Sequence, residues 1–391
     1  MDQPPIDDAF VRMEEDRIVE LGERRRLGTA TKSWVDLGEV TLLPECVNAH
    51  THLEFSDIEN PIGRPGIPLF DWIGLVVSAR GRVSDEARQH AIEIGLRESL
   101  DAGVGLIGDI ATTPCEYSET LAGSVVSFAE VLGLTAERSQ ERMRSARRHA
   151  ENLFANRFAI SPHAPYSTPP ELISSCVDLA VQRDCAVAMH VAESPAERLL
   201  LETGEGGFAS ALKSAGFWQD GLFPWQVEEP VHEIIRQLAR APRALLVHGN
   251  DLRADEIEAL SKTSSVSVVY CPRTHDFFGY QLHPVGELLR AGVRVAIGTD
   301  SRASNPDLSV WNEVRFLLKH RQDLSPEKVL WMATRGGAEA LLGKTTDRGC
   351  LRNGTPAHRI LVLPSPGDRL EHHYSVWGEW ESPCKFAEFR P

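Results

Sequence analysis

Five side chains able to hold a metal recur in a fixed order, each at the end of a short apolar run: His50 and His52, His190, His248 and Asp300. Alternate residues of an extended strand share a face, so the two imidazoles of NAHTHLEFS can meet one ion. In AMHVAES, His190 ends a run and Glu193 follows three residues later. A ligand imidazole beside a carboxylate suits metal-assisted proton transfer, because the ion acidifies water and the carboxylate moves the proton. Glu193 would also suit the first turn of a helix beginning near Ser194. LLVHGN supplies His248, and VAIGTDS supplies Asp300 after an almost wholly apolar run. A carboxylate is costly to bury unless it is paired or bound to metal, so Asp300 reads as a ligand. His248 reads as a base or electrostatic partner, because a catalytic ion keeps one coordination position open. The run ending in SPHAPYS has no Lys or Glu to bridge two ions, which points to a single divalent metal.

Side chains so far apart in sequence converge if a parallel barrel delivers the carboxyl ends of its strands to one face. Eight runs fit such strands: Val47–His50, Val104–Asp109, Ser124–Glu130, Arg157–Ser161, Ala186–His190, Ala244–His248, Val266–Tyr270 and Arg294–Gly298. Amphipathic stretches between them read as helices, among them Ser84–Ala102, Thr135–Phe154, Pro169–Arg183, Ala254–Lys262 and Leu308–His320. The fold expected is α/β, a (β/α)8 barrel over residues 45–342. Residues 1–44 alternate apolar and polar around a Glu-Asp turn and predict short antiparallel strands. Their expected partners lie in RILVLPSP and HHYSVWGEW, so residues 1–44 and 343–391 form a small β module. The aromatic-rich interval from Glu202 to Val231 interrupts the βα rhythm; it reads equally as a lid or as an insertion packed under its own rings.

A chain of 391 residues can bury a large barrel core. Its formal charge of -15 argues against tracking nucleic-acid phosphates and favours a small-molecule substrate. Seven scattered cysteines, never spaced CxxC, read as reduced thiols. No run approaches the roughly 20 apolar residues that cross a bilayer. The expectation is a cytoplasmic protein, with assembly into a homo-oligomer left open.

LLPxxVNAHTHLE, SPHAPYS, HVAES, HGN, YCPRTH and GTDSRASNPDLS together resemble the amidohydrolase superfamily, in unbroken order over roughly residues 15–365. They are similar to the branch that holds S-adenosylhomocysteine, methylthioadenosine, guanine, cytosine and aminofutalosine deaminases and the chlorohydrolases. The resemblance implies a distorted (β/α)8 barrel with a β-sandwich module from both termini. It also implies a metal, usually zinc with iron or manganese as alternatives, on His50, His52, His190 and Asp300, with Glu193 and His248 moving protons. Two departures stand out: LLPECVNAHTH where such proteins usually read LLPGLVNAHTH, and CPRTHDFFGY in the loop after the seventh strand. The N-terminal part is also shorter than the family pattern, as if a first strand were missing.

The reaction so implied is hydrolytic deamination of an amino-substituted purine-type heterocycle or nucleoside, aminofutalosine-like, with ammonia released. Asp300, Glu193 and His248 are the catalytic candidates. The alternative is a chlorohydrolase or another C–N hydrolase built on the same metal core. For substrate contacts, Glu54 suits a ribose hydroxyl, His163 lies at a strand end, and Arg273 and His275 mark the divergent loop. Arg273, Arg64 or Arg80 would meet a substrate carboxylate, although supporting a helix or the surface is the commoner use of an arginine.

Overall fold

The computed structural model describes residues 5–27, 34–81, 83–117, 123–152, 157–364 and 385–386. Strands β1 (Ala9–Glu14) and β2 (Arg17–Glu23) pair antiparallel, and β3 (Val40–Pro44) leads into the barrel. The turn between β1 and β2 places Glu15 and Asp16 at φ 47° and 62°, the left-handed backbone that a two-residue hairpin turn requires.

The barrel strands are β4 (Cys46–Thr51), β5 (Val104–Ala111), β6 (Val125–Val131), β7 (Arg157–Pro162), β8 (Ala186–Val191), β9 (Arg243–His248), β10 (Val266–Tyr270) and β11 (Arg294–Ile297). These eight neighbour one another in chain order, all parallel, within a residue or two of the runs read from the sequence. Each is almost wholly buried, which is why they read as continuous apolar runs such as VSVVY and AVAMHV. The period of two still sorts their side chains. Val47, Leu106, Phe128, Ala188, Leu245 and Val269 form one core with Ala338 and Leu341, while Ile107, Ile160, Val187 and Leu246 belong to a larger core that includes helix residues.

Thirteen helices accompany the strands among the described residues. The long connections are α1 (Leu69–Arg80), α2 (Asp85–Asp101), α3 (Ala136–Asn152) and α4 (Pro170–Arg183). After β8 come α5 (Pro195–Thr203), α6 (Gly207–Ser214) and α7 (Pro230–Leu238), and after β9 comes α8 (Ala254–Ser261). The rest are α9 (Pro272–Phe278), α10 (Val285–Arg290), α11 (Val310–His320), α12 (Pro326–Trp331) and α13 (Gly337–Leu342). No helix among the described residues is long and apolar enough to cross a membrane.

The interval 202–231 contains α6 and buries Phe208, Phe223 and Trp225. Phe208 packs between Phe70 of α1 and Tyr166, with ring centroids 5.8 and 4.5 Å away. Through Phe208 the insertion therefore packs onto aromatic rings of the barrel's other connections.

Strand β12 (Ile360–Pro364) pairs antiparallel with β3, and β13 (Lys385–Phe386) adds to its other side. The N-terminal hairpin meets the same region, since the Ile18 N–H donates to the Thr355 carbonyl at 2.8 Å. Residues from both ends of the chain thus share one small sheet, as RILVLPSP suggested; HHYSVWGEW lies outside the described residues.

The departure LLPEC acquires a structural purpose. Glu45 is 1% exposed and receives a bidentate fork from Arg348, with Nε 2.5 Å from Oε1 and Nη2 2.9 Å from Oε2. Arg348 also donates to the carbonyls of Gly105 and Gly123. The clamp ties the entry of β4 to chain three hundred residues later, and Gly105 leaves it room, because a Cβ there would lie 2.0 Å from Glu45 Oε2. Removing one partner strands the other charge in the interior. Glu45→Ala should therefore lower the free energy of unfolding by about 3–5 kcal/mol, read from urea midpoints, whereas Glu45→Leu combined with Arg348→Met should lose less. A single variant as stable as the parent would contradict this role.

Candidate metal and catalytic site

The carboxyl ends of β4, β8, β9 and the residues after β11 meet at one point. His50 Nε2 and His52 Nε2 lie 3.6 and 3.5 Å from Asp300 Oδ1, and the ring centroids of His50 and His190 are 4.9 Å apart. Ligand-capable atoms of His50, His52 and Asp300 fall within 4.8 Å of one another, as do those of His50, His190 and His248. All five side chains are buried or nearly so, His52 being the most exposed at 12%.

The local backbone explains the convergence. The His50 carbonyl accepts the N–H groups of both Thr299 and Asp300 at 3.1 Å, and the Thr51 hydroxyl donates to the Asp300 carbonyl at 2.7 Å. Asn48 braces the same junction, accepting the Thr299 N–H at 3.1 Å. Gly298 permits this approach, since a Cβ there would stand 2.8 Å from the His50 carbonyl oxygen. Asp300 sits at φ 57° and His248 at φ 72°, a left-handed backbone that costs non-glycine residues about 1–3 kcal/mol and gathers at functional sites. His283 holds the second of these, donating from Nε2 to the His248 carbonyl at 2.8 Å.

The donor atoms are prepared for a cation. His190 donates from Nδ1 to the His163 carbonyl at 2.8 Å, leaving the Nε2 lone pair for the site. Ser304 donates to Asp300 Oδ2 at 2.8 Å and leaves Oδ1 facing the two imidazoles. Both ring nitrogens of His50 and Nδ1 of His52 are buried without a hydrogen-bond partner among the described residues. Burial holds His190 down to about 4 and His50, His52 and His248 well below the usual imidazole range, so their lone pairs are free. Orphaned nitrogens around an inward carboxylate are what a bound divalent ion would satisfy, and zinc's preference for imidazole and carboxylate fits this donor set.

Glu193 Oε1 lies 3.5 Å from His248 Nε2. Burial, then the neighbouring Asp300 and Glu197, pushes its carboxyl well above the usual carboxylate range. Its place is set by a capping arrangement in SPAE: Ser194 accepts the Glu197 N–H at 3.3 Å, and Glu197 accepts the Ala192 N–H at 2.7 Å. The expected first-turn carboxylate is thus Glu197, and Glu193 stays directed at the site.

The substrate candidates fare unequally. His163 stands beside the cluster, 5.2 Å from His190 by ring centroids, with Nδ1 held 2.6 Å from the Ser167 hydroxyl. Glu54 is buried next to His52 but already accepts from Thr112 at 2.8 Å and pairs with Arg88 at 3.0 Å. Arg273 requires correction as a contact for a substrate carboxylate. Its guanidinium is locked to Asp307 at 2.6 Å and to fully buried Glu313 at 2.7 Å, which makes it a strut between α9 and α11. His275 is likewise part of the frame, with Nδ1 3.0 Å from Asn250 Oδ1 and Nε2 donating to the Gln281 carbonyl at 2.8 Å. Through Asn250, which donates to the Glu193 carbonyl at 3.0 Å, it supports the loop that carries Glu193. Arg80 is tied to Asp57 at 2.8 Å and to the Glu54 carbonyl, while Arg64 is exposed on the loop before α1.

Two buried acids escaped the sequence reading. Glu130, next to last in β6, has Oε1 4.0 Å from His163 Nε2, and its position after the apolar run VVSFA is the signal that identified Asp300. Asp109, on β5, accepts the Leu53 N–H at 2.9 Å and so fixes the backbone that follows His52. A relay backs it: His149 to Ser127, Ser127 to Tyr117 and Tyr117 to Asp109, each 2.7 Å long.

The chain matches the Amidohydrolase family over residues 41–378. It belongs to that family. The aminodeoxyfutalosine deaminase of Deinococcus radiodurans is 30% identical over 323 residues, spanning 78% of this chain and 74% of that protein. The fold is shared with Helicobacter pylori aminofutalosine deaminase, solved in complex with methylthio-coformycin, at a TM-score of 0.81 and 23% identity over 97% of this chain and 93% of that one. It is also shared with an adenosine deaminase of Xanthomonas campestris solved with bound zinc, at a TM-score of 0.71 and 22% identity over 95% and 84% of the two chains. These matches agree with the resemblance read from the motifs. The family places the chain among hydrolases of carbon–nitrogen bonds.

Burial raises the Asp109 carboxyl from 3.8 to about 7, against the opposing pull of its hydrogen bonds to Leu53 and Tyr117. A folded-state value above the unfolded one gives stability that is complete below about pH 4 and lost as pH rises through about 7. Relative to Asp109→Asn, which carries no such proton, the parent should lose stability between pH 5 and 8. Urea midpoints at the two pH values read this, and an unchanged difference between the proteins would count against it.

Proposed function

We propose that this amidohydrolase carries one divalent metal, zinc by preference, on His50, His52, His190 and Asp300, and deaminates an adenine-type nucleoside of the aminofutalosine kind by hydrolysis. The observation that carries the reading is the pairing of Glu193 with His248 at 3.5 Å, beside His50 and His52, whose rings hold buried nitrogens without partners among the described residues. When bound, the ion would lower the pKa of water from 15.7 toward about 7.

The chain's own residues handle the protons. Asp300 and His248 hold the attacking water and take its proton as oxygen adds to the ring carbon that bears the amino group. Glu193, kept protonated by burial, gives its proton to the adjacent ring nitrogen. The added hydroxyl then gives up its proton, which Glu193 relays to the amine as the carbon–nitrogen bond breaks, leaving a ring carbonyl and ammonia, and the proton held by Asp300 and His248 returns to Glu193. The aromatic wall formed by buried Tyr166 and Phe208 with Phe70 of α1 limits water beside the ring. His163 at the end of β7 suits a hydrogen bond to the heterocycle, and Glu54 suits a sugar hydroxyl.

The substrate assignment draws on the aminodeoxyfutalosine deaminase relative and on the motif HTHLEFS followed by FDWIGLVVSARGR. Cys46, Cys115, Cys176, Cys185 and Cys271 are buried free thiols, which suits a reducing cytosol.

Ammonia release measured against aminofutalosine, methylthioadenosine, S-adenosylhomocysteine, adenosine, guanine, cytosine and triazines should be fastest with the first. A preference for guanine, cytosine or a triazine would overturn the substrate class. Glu193→Gln should keep its metal while kcat falls by about 10²–10⁴, and His50→Ala should lose metal by elemental analysis. Full turnover in the first variant would refute proton transfer by Glu193, and full metal content in the second would refute ligation by His50.

A further inference from the structure

The opposite end of the barrel holds a second feature that deamination does not use. Strands β7 and β8 pair at Ile160 and Val187, and their seam is closed at the catalytic end, where the His190 N–H reaches the His163 carbonyl at 3.0 Å. Toward their N-terminal ends the two strands part and leave a cavity of about 270 Å³. Phe158 and Arg157 border it from β7, Ala186 and Cys185 from β8, and Leu341 and Leu342 of α13 from below.

Three guanidinium groups line this cavity: Arg157 from β7, Arg183 from the last turn of α4, and Arg243 from β9. In a chain of net charge -15 such a convergence is unusual, and among the described lining residues only Asp184 opposes it. Asp184 is already engaged, with Oδ1 3.8 Å from Arg243 Nη1 and its carbonyl accepting from Arg243 Nη2 at 2.8 Å. The Nε of Arg243 is buried without a hydrogen-bond partner. Arg183 lies 5.7 Å over the Phe158 ring, and no carboxylate faces it or Arg157 among the described residues. The Cys185 thiol does not supply the missing charge, since burial raises it to about 11.

Like charges gathered at a cavity repel one another unless an anion sits between them. Guanidinium forks match the paired oxygens of an oxyanion, and an unpaired, partly desolvated N–H strengthens that preference. We infer that the N-terminal mouth of the barrel binds a small oxyanion, phosphate or a phosphate monoester, held by Arg157, Arg183 and Arg243. The anion bridges β7, α4 and β9 across the place where the strand ladder opens, so it locks the barrel floor rather than taking part in chemistry at the other end. Arg157 and Arg183 are exposed, which leaves the cavity open to solute, while Arg243 at the base is half-buried.

The test is thermal unfolding of the metal-loaded protein in inorganic phosphate against sodium chloride at matched ionic strength. A ligand that binds only the folded state raises the unfolding midpoint with its concentration and then follows the logarithmic dependence of mass action. Phosphate should give a concentration-dependent rise of a few degrees beyond chloride, and direct calorimetry should give a single site per chain. Arg157→Gln and Arg183→Gln, made singly and together, should weaken phosphate binding at least tenfold while leaving metal content and deaminase activity intact. Arg157→Lys, which keeps the charge but not the fork, should give an intermediate loss. The proposal is overturned if phosphate acts no better than chloride, or if its effect persists in the double variant. It also fails if the effect vanishes in His50→Ala, which would put the anion at the metal centre.

Discussion

The closure of β4 against the segment after β11 governs everything else in the molecule. One carbonyl, that of His50, accepts two backbone N–H groups, from Thr299 and Asp300, and so brings the side chains of His50 and His52 up to that of Asp300. Gly298 makes the contact sterically possible, and Asn48 and Thr51 supply polar groups that hold it. The geometry of the candidate metal site is thus set by main-chain hydrogen bonds in the barrel wall, which are stiffer than contacts between loops.

Burial then gives the site its electrostatic character. Removal from water acts in opposite directions on acids and imidazoles, raising Glu193, Glu130 and Glu54 and lowering His50, His52, His163, His190 and His248. The outcome is a cluster poor in net charge and rich in lone pairs, in which a cation finds ligands without first displacing protons. The same desolvation leaves Glu193 holding the proton that a general acid must have. The free lone pairs and the retained proton therefore share one physical origin, the dryness of the barrel's carboxyl-terminal mouth.

The sequence disclosed what strands impose and concealed what loops impose. His50, His190, His248 and Asp300 each follow a short apolar run, and a parallel barrel converts that position into a place on one rim without further information. Applied evenly, the same rule would have named Glu130, and Asp109 inside the apolar run VGLIGDIA carried a similar signal. Arg273 was opaque because its partners, Asp307 and Glu313, lie 34 and 40 residues downstream and belong to no local pattern. His275 looked like a pocket residue for the same reason, its role depending on Asn250 in a different loop. Glu45 was visible as a departure from the family pattern, but its meaning rested on Arg348, three hundred residues away.

That remoteness bears on how the molecule is made. The segment carrying His50 and His52 is among the first barrel segments to leave the ribosome, yet its two anchors, the Glu45–Arg348 clamp and the seam with Thr299 and Asp300, are completed by residues made much later. Contacts of such long sequence separation form late and slowly, because the intervening loop must be ordered first. The nascent chain therefore passes through most of its synthesis with an open sheet edge at β4 and Asp300 still apart from His50 and His52. The candidate site is assembled only in the last stage of biogenesis, after the eighth strand has closed the ring.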